Sequence, residues 1–349
     1  MTRLRSLSLV IALGAVILFG PTAARAAGGI EAALDWLRTQ QQADGGFSNG
    51  FSPESDIGAT ADAVIAILAT GESADDWSPQ GQSPLDFLEA RAKEAGSPGL
   101  AAKITLAATA AGRDARTFGG VDLVEVILSG LDPNTGLFGS GAYDSGLAIL
   151  ALHAAGEAVP KEAIAGLTAT RLPDGSYAFD ASQVPGSGDS NTTALIVQAL
   201  LAVGDADEAA DSLAYFRATQ NPDGGWTYQK PSAFGETTDA NSTALVTQAL
   251  TAAGEDLEAW NQPLGVLIGL QQPSGAFAFN ADMPGDNLLA TVQVLPALAG
   301  VDLTAVAGLS RAAGSVTAAA SDPGPVLIAA AVIVVLVLGV AAILGRSDR

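Results

Sequence analysis

Nearly unbroken apolar runs alternate along the chain with amphipathic ones. The apolar runs cover 56–70, 99–111, 143–155, 189–203, 239–253 and 286–299 and are built from Ala, Leu, Val and Ile. Most open on a residue that caps helices and stop at a glycine (Gly71, Gly112, Gly156, Gly204, Gly254, Gly300), the start and stop signals of α-helices. Between them, segments 30–41, 84–95, 121–131, 161–171, 207–220 and 258–271 carry apolar residues on one face only. In the first, Ile30, Leu34 and Leu37 share a face largely opposite Glu31, Asp35 and Arg38. A helix apolar all round is buried all round, whereas an amphipathic one is buried on a single side. The pattern therefore predicts an all-α (α/α)6 toroid: six helical hairpins, with six inner helices jacketed by six outer ones. An open solenoid would have evenly amphipathic helices instead.

The chain also repeats itself in detail. Asp189-Ser-Asn-Thr-Thr-Ala-Leu-Ile-Val-Gln-Ala-Leu200 returns as Asp239-Ala-Asn-Ser-Thr-Ala-Leu-Val-Thr-Gln-Ala-Leu250, and self-similarity at a fixed period marks a repeat architecture. Glycine turns with a trailing aromatic recur as Gln41…Gly45…Phe47, Gln220…Gly224…Trp226 and Gln271…Gly275…Phe277, with Arg171…Gly175…Tyr177 as a variant. The unit is an outer helix, a glycine turn with its aromatic, a loop and an inner helix.

The two ends change the picture from a soluble repeat to a tethered one. Arg3 and Arg5 precede an apolar run, and Ala24-Arg-Ala26 supplies small residues, so 1–26 reads as a secretory signal peptide. Residues 326–345 hold no charge and are long enough to cross a bilayer. The arginines behind them, Arg346 and Arg349, place 346–349 in the cytoplasm. The expected organisation is thus a toroid ectodomain over 27–304, a flexible stalk over 305–325 and a single membrane span, with the ectodomain outside the cell membrane. A net charge of −21 excludes nucleic acid as a partner, and the absence of cysteine excludes disulfides and thiolate chemistry.

The Gln-x-x-x-Gly-x-Trp/Phe turns resemble those of the prenyltransferase and squalene-cyclase-like α/α-toroid superfamily, over essentially the whole ectodomain. The resemblance implies that Gln41, Gly45, Phe47, Gln220, Gly224, Trp226, Gln271, Gly275 and Phe277 are structural, and that Tyr177, Phe179, Tyr228 and Phe279 pack between helices. It also supplies three chemistries to test. Cyclases protonate their substrate with the middle acid of Asp-x-Asp-Asp-Thr-Ala, where this chain reads Asp189-Ser-Asn191 and Asp239-Ala-Asn241. An amide is no Brønsted acid in the useful range. The zinc site of prenyltransferases needs Cys and His, and the thioester of complement-like domains needs Cys; this chain has no Cys and only His153. Of these branches, the noncatalytic helical domain of cobalamin carriers passes the tests best. No cofactor and no metal are expected.

Two sets of polar residues stand out on the inner helices. Asn191 and Gln198, Asn241 and Gln248, and Asp286 and Gln293 lie seven apart and share a helical face. They would give the barrel one amide-lined wall opposite a greasy wall with Ile65, Leu106 and Leu150, suiting a small hydrophobic or amphipathic ligand. They equally suit hydrogen bonding between neighbouring helices. Asp56, Asp144, Asp189 and Asp239 would ring one barrel mouth as carboxylates or serve as N-caps. The expected function is a noncatalytic toroid binding a small or lipid-like ligand or a surface protein partner. The alternatives are an atypical cyclase or prenyltransferase-like enzyme using Asp189, Asp239 or Asp286, and a structural or adhesion scaffold.

Overall fold

The computed structural model describes residues 21–309 apart from Phe234, with the side chains of 21–28 left aside. The expected span 326–345 and most of the expected signal peptide lie outside the described residues. Among the described residues no helix is long and apolar enough to cross a membrane.

Among the described residues twelve α-helices follow one another: α1 (Pro21–Gln40), α2 (Ile57–Ala69), α3 (Pro84–Arg91), α4 (Pro98–Ala110), α5 (Leu123–Ser129) and α6 (Ala142–Ala154). They continue as α7 (Lys161–Thr168), α8 (Ser190–Ala202), α9 (Ala206–Thr219), α10 (Ala240–Ala252), α11 (Pro263–Gly269) and α12 (Leu288–Leu298). The even-numbered helices are the apolar ones. Each packs on the next, α2 on α4 through to α10 on α12, and α12 packs back on α2, which closes the ring. The odd-numbered helices form the jacket, and each lies against the inner helix that precedes it in the chain. Helix α1 has no such predecessor and seals the seam by packing on α12 and α11.

The glycine turns hold inner and outer layers together. Gln41 Nε2 donates to the carbonyls of Gly45 (3.1 Å) and Trp77 (2.7 Å). Gln220 Nε2 does the same to Gly224 (2.9 Å) and Trp260 (2.7 Å), and Gln271 Nε2 to Gly275 (2.9 Å) and, across the seam, Gly29 (2.7 Å). Phe47, Trp226 and Phe277 are fully buried. Their backbone N–H groups donate to Thr60, Thr243 and Thr291 Oγ1 on the inner helices, at 2.9, 3.0 and 2.9 Å. Antiparallel pairings Phe47↔Asp56, Tyr177↔Asp189 and Phe277↔Asn287 then fix where each inner helix starts.

Three boundaries differ from expectation. Helix α1 begins at Pro21 rather than 30. The sixth outer segment is a 3₁₀ turn (Leu257–Trp260) and a short α11, because Asn261 and Gln262 take positive φ ahead of Pro263. Beyond α12 the chain folds under the barrel. Leu303 N donates to Gln198 Oε1 (2.8 Å), Val306 is fully buried, and the turn Val306–Gly308 packs on α4. The packed body therefore runs past 304, and the first residues of the expected stalk are part of it.

Candidate functional site

All six inner helices point their N-termini at one end of the barrel, and counting from each N-cap sorts the inward residues into rungs. Two positions past the caps stand Gly58, Gly99, Tyr143, Asn191, Asn241 and Leu289. Six past the caps stand Asp62, Lys103, Leu147, Leu195, Leu245 and Gln293, all lining one cavity of about 70 Å³ in the lumen. Nine past them, Ile65, Leu106, Gln248 and Pro296 line the same cavity, and Leu303 of the plug also lines it. A wider cavity of about 630 Å³ opens above, at the mouth, among Tyr228, Phe279, Met283, Leu289, Asn241 and Gly50. Asn191 and Gln293 line both, so the two form one funnel with its neck at those residues.

The expected mouth acids divide. Asp56, Asp189 and Asp239 are N-caps: their Oδ1 atoms accept from Ala59 N (2.8 Å), Thr192 N (2.7 Å) and Ser242 N (2.7 Å). Asp144 is not a cap. It lies within the first turn of α6, behind the cap Gly141, and accepts from Ser140 N (2.9 Å) and Oγ (2.8 Å). Burial pushes the Asp189 and Asp239 carboxyls up to about 6, against the hydrogen bonds from their helix amides. Asp239 Oδ2 accepts from Ser242 Oγ (2.8 Å), whereas Asp189 Oδ2 is buried with no close hydrogen bond and the Tyr228 hydroxyl as the neighbour of its carboxyl.

The expected amide set also divides. Asn241 Nδ2 donates to Gln293 Oε1 (2.7 Å), and Gln248 Nε2 donates to the Gln293 carbonyl (3.3 Å), so these side chains tie α10 to α12. Gln198 is fully buried and lines neither cavity; its amide is engaged by Leu303 N and the Ala194 carbonyl. Asp286 does not open the sixth inner helix, because Asn287 is the cap. It is exposed and accepts from Trp36 Nε1 (3.0 Å) across the seam and from Ser274 Oγ (2.6 Å) of its own loop. Gln293 thus stands one rung above Gln248 rather than level with it. The Asn191 side chain makes no hydrogen bond, and its Oδ1 is buried.

The wall expected to be greasy carries an ion pair. Lys103 Nζ lies 2.7 Å from Asp62 Oδ2 with both side chains about one-quarter exposed. Burial works against the Lys103 charge, but Asp62, helped by the surroundings of Tyr143 and Asp56, holds the ammonium above its ordinary range. Burial likewise raises the Tyr143 phenol, in spite of Lys103 nearby. The signal for this pair was a single charge in each of two otherwise apolar helices. The loop aromatics differ from expectation too. Tyr177 is buried, but Phe179 and Tyr228 are nearly half exposed, and Phe179 stacks on Tyr143 with ring centroids 5.1 Å apart. With Phe51, Val184, Met283 and Leu289 they make up the exposed large apolar residues among those described, and all sit on the loops or first helical turn at the mouth.

Solved structures share this fold. A protein from Actinoplanes matches at TM-score 0.59 and 17% identity, covering 79% of this chain and 99% of that one. The type II terpene cyclase MstE from Scytonema, in complex with geranylgeranyl dihydroxybenzoate, matches at 0.58 and 16%, covering 83% and 99%. A glycosidase in complex with glucose matches at 0.57 and 16%, covering 84% and 99%. The fold these structures share with this chain is the α/α toroid. At these identities the likeness concerns the fold and not the chemistry. No protein-family model matches the chain, and no curated protein does. Of the cyclase acid motif the toroid retains the cap Asp189, while Asn191 stands at the neck.

Proposed function

We propose that this protein is a noncatalytic binding toroid, tethered outside the cell membrane through 326–345, that seats a small amphipathic ligand in its funnel. The observation that carries the reading is the Asn191 side chain, an amide without a partner at the neck between two cavities. A buried polar group left unpaired costs about 1–3 kcal/mol, and a ligand group at the neck would recover it. The mouth volume falls within the usual range for small-molecule sites, roughly 300–1,000 Å³, and its apolar rim would cover the ligand's hydrophobic part. The plug lies against the C-terminal ends of α4 and α6, opposite the mouth, so a tether following residue 309 would leave the mouth turned away from the bilayer.

Native mass spectrometry of the full chain, released from detergent after exposure to a cell extract, tests this. A discrete bound mass in the wild type that is absent from Asn191→Leu is expected. Retention of the same mass by both proteins removes Asn191 from the site, and no bound mass with any extract sinks the reading.

A second reading, an acid-using enzyme, is favoured by Asp189, whose buried carboxyl is raised to about 6 and neighbours the Tyr228 hydroxyl at the mouth. Polyprenyl cyclisation fits the lumen badly: about 70 Å³ is half the cavity of roughly 150 Å³ that takes up one benzene. Turnover of a prenylated aryl substrate by wild type, abolished in Asp189→Asn, would establish this reading instead.

A further inference from the structure

The rung nearest the mouth is interrupted on one side. Helices α2 and α4 carry Gly58 and Gly99 where the other four carry Tyr143, Asn191, Asn241 and Leu289. At Gly99 the Asp144 carboxylate fills the place a side chain would take, but at Gly58 the missing side chain leaves a notch above Asp62 and Lys103, where a Cβ would meet the Lys103 side chain at 3.7 Å and Asp56 Oδ1 at 3.3 Å. At the bottom of the notch the ion pair is only partly used. Lys103 spends one donor on Asp62 and Asp62 one oxygen on Lys103. The Tyr143 hydroxyl and the Asn191 amide, lining the same cavity, make no hydrogen bond to any described residue.

We infer that the notch is a subsite for a neutral group bearing vicinal hydroxyls, such as a diol or one edge of a saccharide ring. This deepens the proposed function and rests on it. The unspent groups are mixed: ammonium donors, a carboxylate acceptor, a phenol and an amide that offer both. A hydroxyl donates and accepts, so two adjacent hydroxyls can bridge Lys103 and Asp62 and still reach Tyr143 or Asn191. An anionic head would gain Lys103 but meet the Asp62 carboxylate 2.7 Å from that ammonium. A cationic head faces the converse. The lumen volume of about 70 Å³ admits roughly two water-sized groups, at about 30 Å³ each, which suits two hydroxyls and not a whole ring. The ring's apolar face would lie higher, against the mouth aromatics Tyr228 and Phe279.

Saturation-transfer NMR on the full chain, with four probes that share one aryl group, tests the subsite. The probes are phenyl β-glucoside, phenylacetate, benzyl phosphate and benzyltrimethylammonium. The expected result is transfer to phenyl β-glucoside, weakened about ten-fold in a Lys103→Gln/Asp62→Asn double variant, the scale of losing charged hydrogen bonds. Tyr143→Phe, which leaves the ion pair intact, should weaken it less and serves if the double variant does not fold. Preference for phenylacetate or benzyl phosphate, or equal transfer to all four, overturns the subsite while leaving the binding toroid standing. No transfer to any probe, together with no bound mass from extracts, removes both.

Discussion

Replacing Gly275 by alanine tests whether the ring closes as described. Gly275 has φ +98, and a Cβ there would stand 2.1 Å from the Ala32 carbonyl oxygen of α1. An L-residue in that conformation costs about 1–2 kcal/mol, and forcing packed backbone apart adds about 1–3 kcal/mol, so a loss of about 2–5 kcal/mol is expected. Gly300 is the control, with φ +67 and nothing within 4 Å of its added Cβ; only the conformational part, about 1–2 kcal/mol, applies there. Urea unfolding of both full-length variants reads the difference. With m about 3 kcal/mol/M, the upper end for small proteins, the midpoint of Gly275→Ala should fall further than that of Gly300→Ala by about 0.3–1 M. Equal midpoints at unchanged m would refute the contact between this turn and α1, and with it the seam.

Other outcomes follow from the same contacts. Gln198→Leu should orphan the Leu303 amide, and hydrogen exchange of 301–309 should quicken while α8 stays protected. Deleting 326–349 should release the protein into the medium, read by fractionation. Stability should rise as pH falls from 7 to 5. Asp189 and Asp239 have folded-state values raised to about 6 from 3.8, so in that window the folded state binds more protons and each group adds on the order of 1 kcal/mol. Asp189→Asn, which still caps a helix, should remove about half of that pH dependence in urea titrations at the two pH values.

Why the architecture was legible and the site less so is a matter of period. Helices announce themselves through runs of a dozen residues, and the turns through Gln, Gly and an aromatic whose roles are all local: the glutamine bonds two carbonyls, the glycine takes a positive φ. The sequence also placed Asn191 and Asn241 on inward faces. It could not give the height of each residue in the barrel, because height depends on which residue is the cap. The sixth inner helix is capped at Asn287, three residues later than levelling Gln293 with Gln248 requires, which sent Asp286 to the surface and lifted Gln293 to a position where it bonds Asn241. Nor could it show that residues after α12 return beneath the barrel, so Gln198 read as lumen-facing when its oxygen holds the plug. The Asp62–Lys103 pair was visible as two isolated charges. Their pairing is a contact between helices 41 residues apart, which no local pattern encodes.

The rung arrangement separates the residues that hold the ring from those that fill it. Widening or filling a toroid needs only changes at the inward positions, since the ring is held by its turns and by inner-to-inner contacts. Here large aliphatic residues at Leu147, Leu195 and Leu245, with Leu303 entering from below, reduce the lumen to about 70 Å³. What is left polar is concentrated at the upper rungs, within reach of the mouth. If size alone excludes a prenyl chain, shrinking those residues should admit one: a Leu195→Ala/Leu245→Ala variant should retain farnesol in native mass spectra where wild type does not. Each truncation would cost about 2–5 kcal/mol, so the variant is best examined in the Asp189→Asn background at pH 7, where burying a charged carboxylate no longer adds to the loss. Failure of a folded double variant to take up farnesol would mean that the polar upper rungs, rather than the volume beneath them, decide what enters.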